Sequence, residues 1–126
     1  FLETVDFVRW ARLLDAHVFA YSKRDGTPAA TYPDQIPEKI KRDRSETLIR
    51  VKNSVRDELL SEITAENGEL IAIAESPDGE NVWSAHTASF VEVSFKCDDE
   101  ISGELVKLRP VSMKNGIIHC EMIKNI

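Results

Sequence analysis

The chain has 126 residues, a formal net charge of −6, 42% hydrophobic residues and 30% charged ones. That length suits one domain or a small domain with an appendage, and the composition is that of a folded globular chain rather than a disordered one. No apolar run approaches the ~20 residues of a membrane span, and no basic-then-apolar signal-peptide pattern opens the chain.

Residues 1–15 read as a helix. Val5, Val8 and Arg12 form one stripe, and Phe7, Trp10, Ala11 and Leu14 another. Apolar residues therefore cover more than half the circumference, which suits a helix packed on several sides. Left unpartnered, such a helix exposes apolar area, so self-association through residues 1–15 is expected. The first residue is Phe1 rather than methionine, and the chain is expected to be a piece of a longer one.

His17–Tyr21 is a short β-prone run. Lys23-Arg-Asp-Gly26 is a turn signal, and Thr27-Pro28 holds the chain extended. A second helix starts near Pro37, a residue suited to a first helical position. Its apolar seam is Ile36, Ile40, Leu48, Val51, Val55, Leu59 and Ile63. Lys41, Arg42, Arg44, Arg50, Lys52 and Arg56 fall on its other faces, interleaved with acidic residues at helical offsets.

Past Asn67-Gly68 the pattern changes from the helical period to that of strands. Apolar or alternating runs at 69–75, 81–87, 90–95, 103–111 and 117–123 read as five strands. In the third, Val91, Val93 and Phe95 share a face. Lys114-Asn-Gly116 between the last two runs is a strong hairpin signal. Pro110 marks an edge or a bulge. Five short strands in so few residues predict an antiparallel OB-like barrel, so the fold class is α+β. The predicted organisation is a helix–strand–helix segment at 1–61 followed by the barrel at 62–126.

The charge is uneven: residues 1–60 carry 11 Lys and Arg against 10 Asp and Glu, and residues 61–126 carry 5 against 12. Cys97 and Cys120 are too few for an iron–sulfur cluster, and they fit free thiols in a reducing compartment. His17, His86 and His119 are too scattered for a metal motif, so no metal ligands are assigned. No Gly-x-Ser-x-Gly elbow or glycine-rich phosphate loop occurs, and no catalytic residue is assigned within the chain.

Three blocks carry a resemblance. The first is His17-Val-Phe-Ala-Tyr-Ser22 with Arg24, Gly26-Thr27 and Ala29-Ala30; the second is Gln35-Ile-Pro-Glu38 with Lys41, Arg44 and Leu48. The third is 62–123, with Trp83–Val93 and Gly103–Leu108 as its most characteristic strands. Together they resemble the C-terminal part of the MiaB-like radical-SAM tRNA methylthiotransferases: the end of the radical-SAM domain followed by a TRAM domain, a small RNA-binding barrel. His17-Val-Phe19 and His86-Thr87 are most similar to the branch that methylthiolates N6-threonylcarbamoyladenosine beside the tRNA anticodon.

The resemblance implies a parent transferase that uses 4Fe–4S clusters and S-adenosylmethionine, bound upstream of Phe1, in the cytoplasm. Its implied partners are tRNA and the upstream radical-SAM and N-terminal domains. Ala85 stands where the family commonly has glycine, and Ala88-Ser89 where Glu-Asn is common.

Candidate RNA-binding residues are Arg44, Arg50, Trp83, His86, Lys107, Arg109 and Lys114. Trp83 and His86 are candidates for base stacking, and the cations for phosphate contact. Each has a plain structural reading beside it: core packing for Trp83, a solvated ion-paired face for the helix cations, and isolated surface charge for the barrel cations. Arg24 and Thr27 are candidates for an active-site loop of the parent, against a turn chosen for geometry. The competing reading of the whole chain is an acidic structural or protein-interaction barrel without RNA affinity, which the acidic second half and Ala88-Ser89 favour.

Overall fold

Helix α1 covers Leu2–Ala11 and stops where Arg12 turns left-handed at φ 49°. It is thus shorter than the 1–15 span read from its apolar stripes, because that cap breaks the ladder before the stripes end. Residues 17–21 are extended but form no strand. A strand needs a neighbour to accept its backbone bonds, and none lies beside this run. Instead Lys41 fastens it: Lys41 Nζ donates to the Tyr21 carbonyl at 3.0 Å and sits 5.8 Å from the Tyr21 ring centroid. The turn at 24–27 closes as read, with Thr27 Oγ1 donating to the Arg24 carbonyl at 2.7 Å. A short 3-10 turn follows at Pro28–Thr31.

Helix α2 runs Glu38–Glu66, directly after Pro37, and ends at Asn67 with φ 51°. Val51 and Val55, both on the predicted seam, are buried, but the most enclosed position is Leu60, one residue off that seam. The five strands are β1 Leu70–Pro77, β2 Val82–Thr87, β3 Glu92–Lys96, β4 Leu105–Lys114 and β5 Ile117–Asn125. Each overlaps its predicted run. The computed structural model describes residues 1–126 as two compact units, Phe1–Arg56 and Asp57–Ile126, with the division inside α2.

The second unit is a closed barrel in the order β1-β2-β3-β5-β4, with β4 returning to β1. The α+β class and the OB-like barrel therefore stand. One seam differs from the all-antiparallel expectation: β3 pairs with β5 in parallel, at Val93↔Ile118 and Ser94↔His119. Closing an odd number of strands into a ring forces at least one parallel contact, because alternating directions cannot match all the way round. The Asn115-Gly116 hairpin forms with φ 53° and 76°, the left-handed pair that a two-residue turn requires. The β4–β5 register shifts at Pro110/Ser112, placing a bulge beside the proline.

Inside the barrel, Trp83 is 4% exposed. Small residues also face inward: Ala72 and Ala74 on β1 and Ala85 on β2 are all buried. Val91, Val93 and Phe95 fill the inward face of the third strand region, as their alternation predicts. Leu108, Val106 and Ile118 complete the core.

Candidate nucleic-acid interface

On the outer wall of the barrel, Lys107 Nζ lies 2.8 Å from Glu69 Oε2. Lys107 stands directly opposite Lys124 in the β4–β5 ladder. Directly opposed like charges destabilise a sheet, so the arrangement depends on a nearby anion. Glu69 supplies one: its carboxyl is held below the usual value, first by the Lys107 hydrogen bond and then by the fields of Lys107, Arg109 and Lys124. Lys107 touches this carboxylate, and Arg109 and Lys124 lie near enough for their fields to lower its pKa. Such a cluster can take a further anion, and phosphate oxygens are the best-matched biological one.

The structure brings Lys107 and Arg109 together here and adds Lys124, which the sequence reading did not name. The hairpin register places Lys124 opposite Lys107: the shift at Pro110/Ser112 is cancelled by a second one at Lys107/Leu108, so the pairing is the one counted back from the Asn115-Gly116 turn. Arg109 faces Glu121 across the ladder. Lys114 is elsewhere, beside the Asn115-Gly116 tip and about 15 Å along β4 from Arg109 at the usual rise per residue.

Trp83 lies in the core, with its ring unavailable to a base. His86 is part-exposed on β2, with Nδ1 2.8 Å from Glu75 Oε2 and Nε2 3.6 Å from Glu92 Oε1. Two carboxylates therefore hold the ring edges.

In the first unit, the Arg44 guanidinium lies 5.5 Å from the Phe1 ring centroid. Arg50 Nη2 donates to Thr47 Oγ1 at 3.1 Å. Six positions separate the two arginines, which puts them roughly 120° apart around α2 rather than on one line. Arg24 and Thr27 lie on the exposed turn that their own hydrogen bond closes.

Elsewhere on the barrel, Ser94 Oγ and His119 Nδ1 are 2.7 Å apart and fasten the parallel seam. Burial pushes the Cys120 thiol up to about 11, so it is protonated at neutral pH and a poor metal ligand. No His, Cys, Asp and Glu side chains converge into a metal-holding group. Cys97 and Cys120 are free thiols, fewer than the three or four thiolates an iron–sulfur cluster takes.

The unit Phe1–Arg56 carries 11 basic against 8 acidic residues, and Asp57–Ile126 carries 5 against 14, balances of +3 and −9. The cation cluster is thus a local positive site on an acidic barrel. No helix is long and apolar enough to cross a membrane.

No family model matches the chain. Among curated proteins it is 35% identical over 112 residues to the threonylcarbamoyladenosine tRNA methylthiotransferase MtaB of Bacillus subtilis, covering 86% of this chain and 25% of that protein. It is 32% identical over 126 residues to a tRNA-2-methylthio-N(6)-dimethylallyladenosine synthase of Thermoanaerobacter sp., covering 100% and 27%. The enzyme of that name from Acetivibrio thermocellus is 28% identical over 124 residues, covering 98% and 26%. The chain spans about a quarter of the length of these relatives.

Proposed function

From the premise that the homologues of this chain are tRNA methylthiotransferases, we propose that it is the C-terminal, tRNA-engaging portion of such an enzyme. In this reading residues 1–61 are the end of a radical-SAM domain with its connecting helix, and residues 62–126 are a TRAM-type barrel. The parent transfers a methylthio group to an adenine of tRNA, using 4Fe–4S clusters and S-adenosylmethionine held upstream, in the cytoplasm. The substrate branch is N6-threonylcarbamoyladenosine beside the anticodon; the His17-Val-Phe19 block and the match to the Bacillus subtilis enzyme support it. This chain's own part is to hold RNA, with no catalytic residue of its own.

The observation that carries the reading is the Lys107, Arg109 and Lys124 cluster around Glu69. Glu69 and Glu121 offset two of the three positive charges. The remaining charge on an otherwise acidic wall suits phosphate contact. Arg44 and Arg50 on α2 are further phosphate partners, with Lys114 and His86 at the margins of the barrel surface. Arg24 and Thr27 belong to the loop nearest the parent's active site.

The test is fluorescence anisotropy of a labelled tRNA anticodon stem-loop titrated with the chain at low and near-physiological salt. Saturable binding should weaken steeply with salt. Lys107→Ala with Lys124→Ala should weaken it further and lower the salt slope by about 2. No binding at low salt would overturn the RNA reading. It would support the alternative, an acidic barrel that meets protein, which the −9 balance of Asp57–Ile126 favours.

A further inference from the structure

Strand β1 is built inside out. Ala72 and Ala74 face the core at 1% and 0% exposure, while Ile71 and Ile73 stand outside at 51% and 50%. Hydrophobic burial alone would choose the reverse. Nothing in the barrel's own packing explains the outward isoleucines.

They are not isolated. Leu105, opposite Ile73 on β4, is 45% exposed, and Phe90 is 80% exposed. Phe90 closes the β2–β3 turn with its N–H on the Thr87 carbonyl at 2.9 Å and has φ 61°. A left-handed aromatic is strained, and such strain persists where the surroundings or a function over-determine it. Together these residues wall a groove of about 650 Å³.

The rim of the groove is bipolar. At the Glu69 end of β1 lies the cation cluster. At the Glu75 end lie Glu75 and Glu92 on either side of His86. Glu69 and Glu75 are about 20 Å apart at the rise of a strand, and Lys107, opposite Ile71, stands about 13 Å from the level of Glu75. A two-fold axis lying in the face and perpendicular to β1 exchanges the two ends. It sets the cations of one copy against the carboxylates of the other and stacks the apolar centres.

We propose that this face, centred on Ile71, Ile73, Leu105 and Phe90, joins two copies of the chain in an isologous dimer. A self-complementary patch is the requirement for such an interface. A uniformly basic partner would match only the carboxylate end, and RNA only the cation end. The four side chains expose on the order of 400 Å² of apolar surface, in the range of functional patches. A stable interface takes ~800 Å² per partner, so the charged ends must contribute and the dimer is weak and salt-sensitive. Lys107 and Lys124 lie in both this contact and the proposed RNA contact, so RNA and a second copy compete for them.

The test is sedimentation equilibrium of the 126-residue chain over micromolar to submillimolar concentration at low salt, with amide NMR shifts followed on dilution. Expected are a monomer–dimer equilibrium and dilution shifts concentrated at 71–75, 90 and 105. Ile73→Glu should abolish dimerisation. Lys107→Glu with Lys124→Glu, and separately Glu75→Lys with Glu92→Lys, should each weaken it at least about tenfold through like-charge contact. The four changes combined should return it to within about threefold of the parent chain. Far-UV circular dichroism checks that each variant folds, and the dilution shifts of the unaltered chain test the face without any substitution. A monomer at every concentration overturns the proposal. So does a dimer that survives Ile73→Glu but is lost in Trp10→Ser, which would place the contact on α1, or charge reversals that show no rescue.

Discussion

Replacing Trp83 separates the two roles that its sequence position leaves open. The indole is 4% exposed, and Trp83 stands between Pro77 and Phe95 in the ladders. Trp83→Ala in such a site costs about 3–5 kcal/mol. The barrel unit has about 70 residues, and a domain of that size has a total stability of roughly 3.5–10 kcal/mol. The alanine variant should therefore be unfolded or barely folded, and its RNA binding would be uninformative. Trp83→Phe is the sharper change. It removes on the order of 40 Å³, and at ~24 cal/mol per Å³ of cavity plus the lost transfer energy the cost is about 1–2 kcal/mol. In a domain of this size that lowers the melting temperature by about 5–15 °C. The assay is thermal unfolding followed by intrinsic fluorescence in a Trp10→Phe background, since Trp10 is 78% exposed and would add a solvent-quenched signal. The Trp83 emission should be blue-shifted in the folded state and move red on melting. Anticodon stem-loop affinity should be unchanged in Trp83→Phe. A variant with unaltered melting and lost RNA affinity would refute the core assignment and restore Trp83 as a stacking platform.

Two further outcomes follow from titrating groups. Asp15 lies 2.6 Å from Lys52 Nζ and accepts the Ala16 N–H at 2.8 Å, and the Lys52 hydrogen bond is the main cause of its lowered pKa. A lowered folded-state pKa gives stability that is present above the unfolded-state value and lost as pH falls through the folded one. Asp15→Asn should thus destabilise the first unit at neutral pH by less than about 1 kcal/mol, the side chain being half exposed, and by nothing in strong acid; urea titration at both pH values checks this. Burial raises the Cys120 thiol to about 11, so the sign reverses: its contribution is intact below the unfolded value near 9 and fades between there and 11. At pH 8 iodoacetamide should alkylate Cys120 far more slowly in the folded chain than in urea, as read by peptide mass spectrometry. Equal rates would mean that the barrel opens there.

The local grammar of this chain is written plainly in its residues. Pro37 starts α2 and Asn67 ends it; the change from helical to strand period falls between Glu66 and Leu70. Asn115-Gly116 makes the hairpin, and Pro110 sits at the bulge. All of these depend on interactions within a few positions. His17–Tyr21 shows the limit: its β-prone composition is real, yet no ladder forms, because a strand is a property of two segments and the sequence names only one.

The candidate site was legible in part. Lys107 and Arg109 are legible as cations on a strand, and counting back from the Asn115-Gly116 turn sets Lys124 opposite Lys107, but nothing within a few residues says that Glu69 meets Lys107. Nor does β1 announce which way it faces. Leu-Ile-Ala-Ile-Ala alternates large and small, and by hydrophobicity alone the isoleucines belong inside. Composition and periodicity thus determined the α+β class, the five strands and their turns, since each rests on local backbone and side-chain preference. Barrel closure decided the rest: the parallel β3–β5 seam, the cation cluster, and the outward isoleucines. Those depend on how distant strands meet, and such contacts are resolved only when the whole ring is closed.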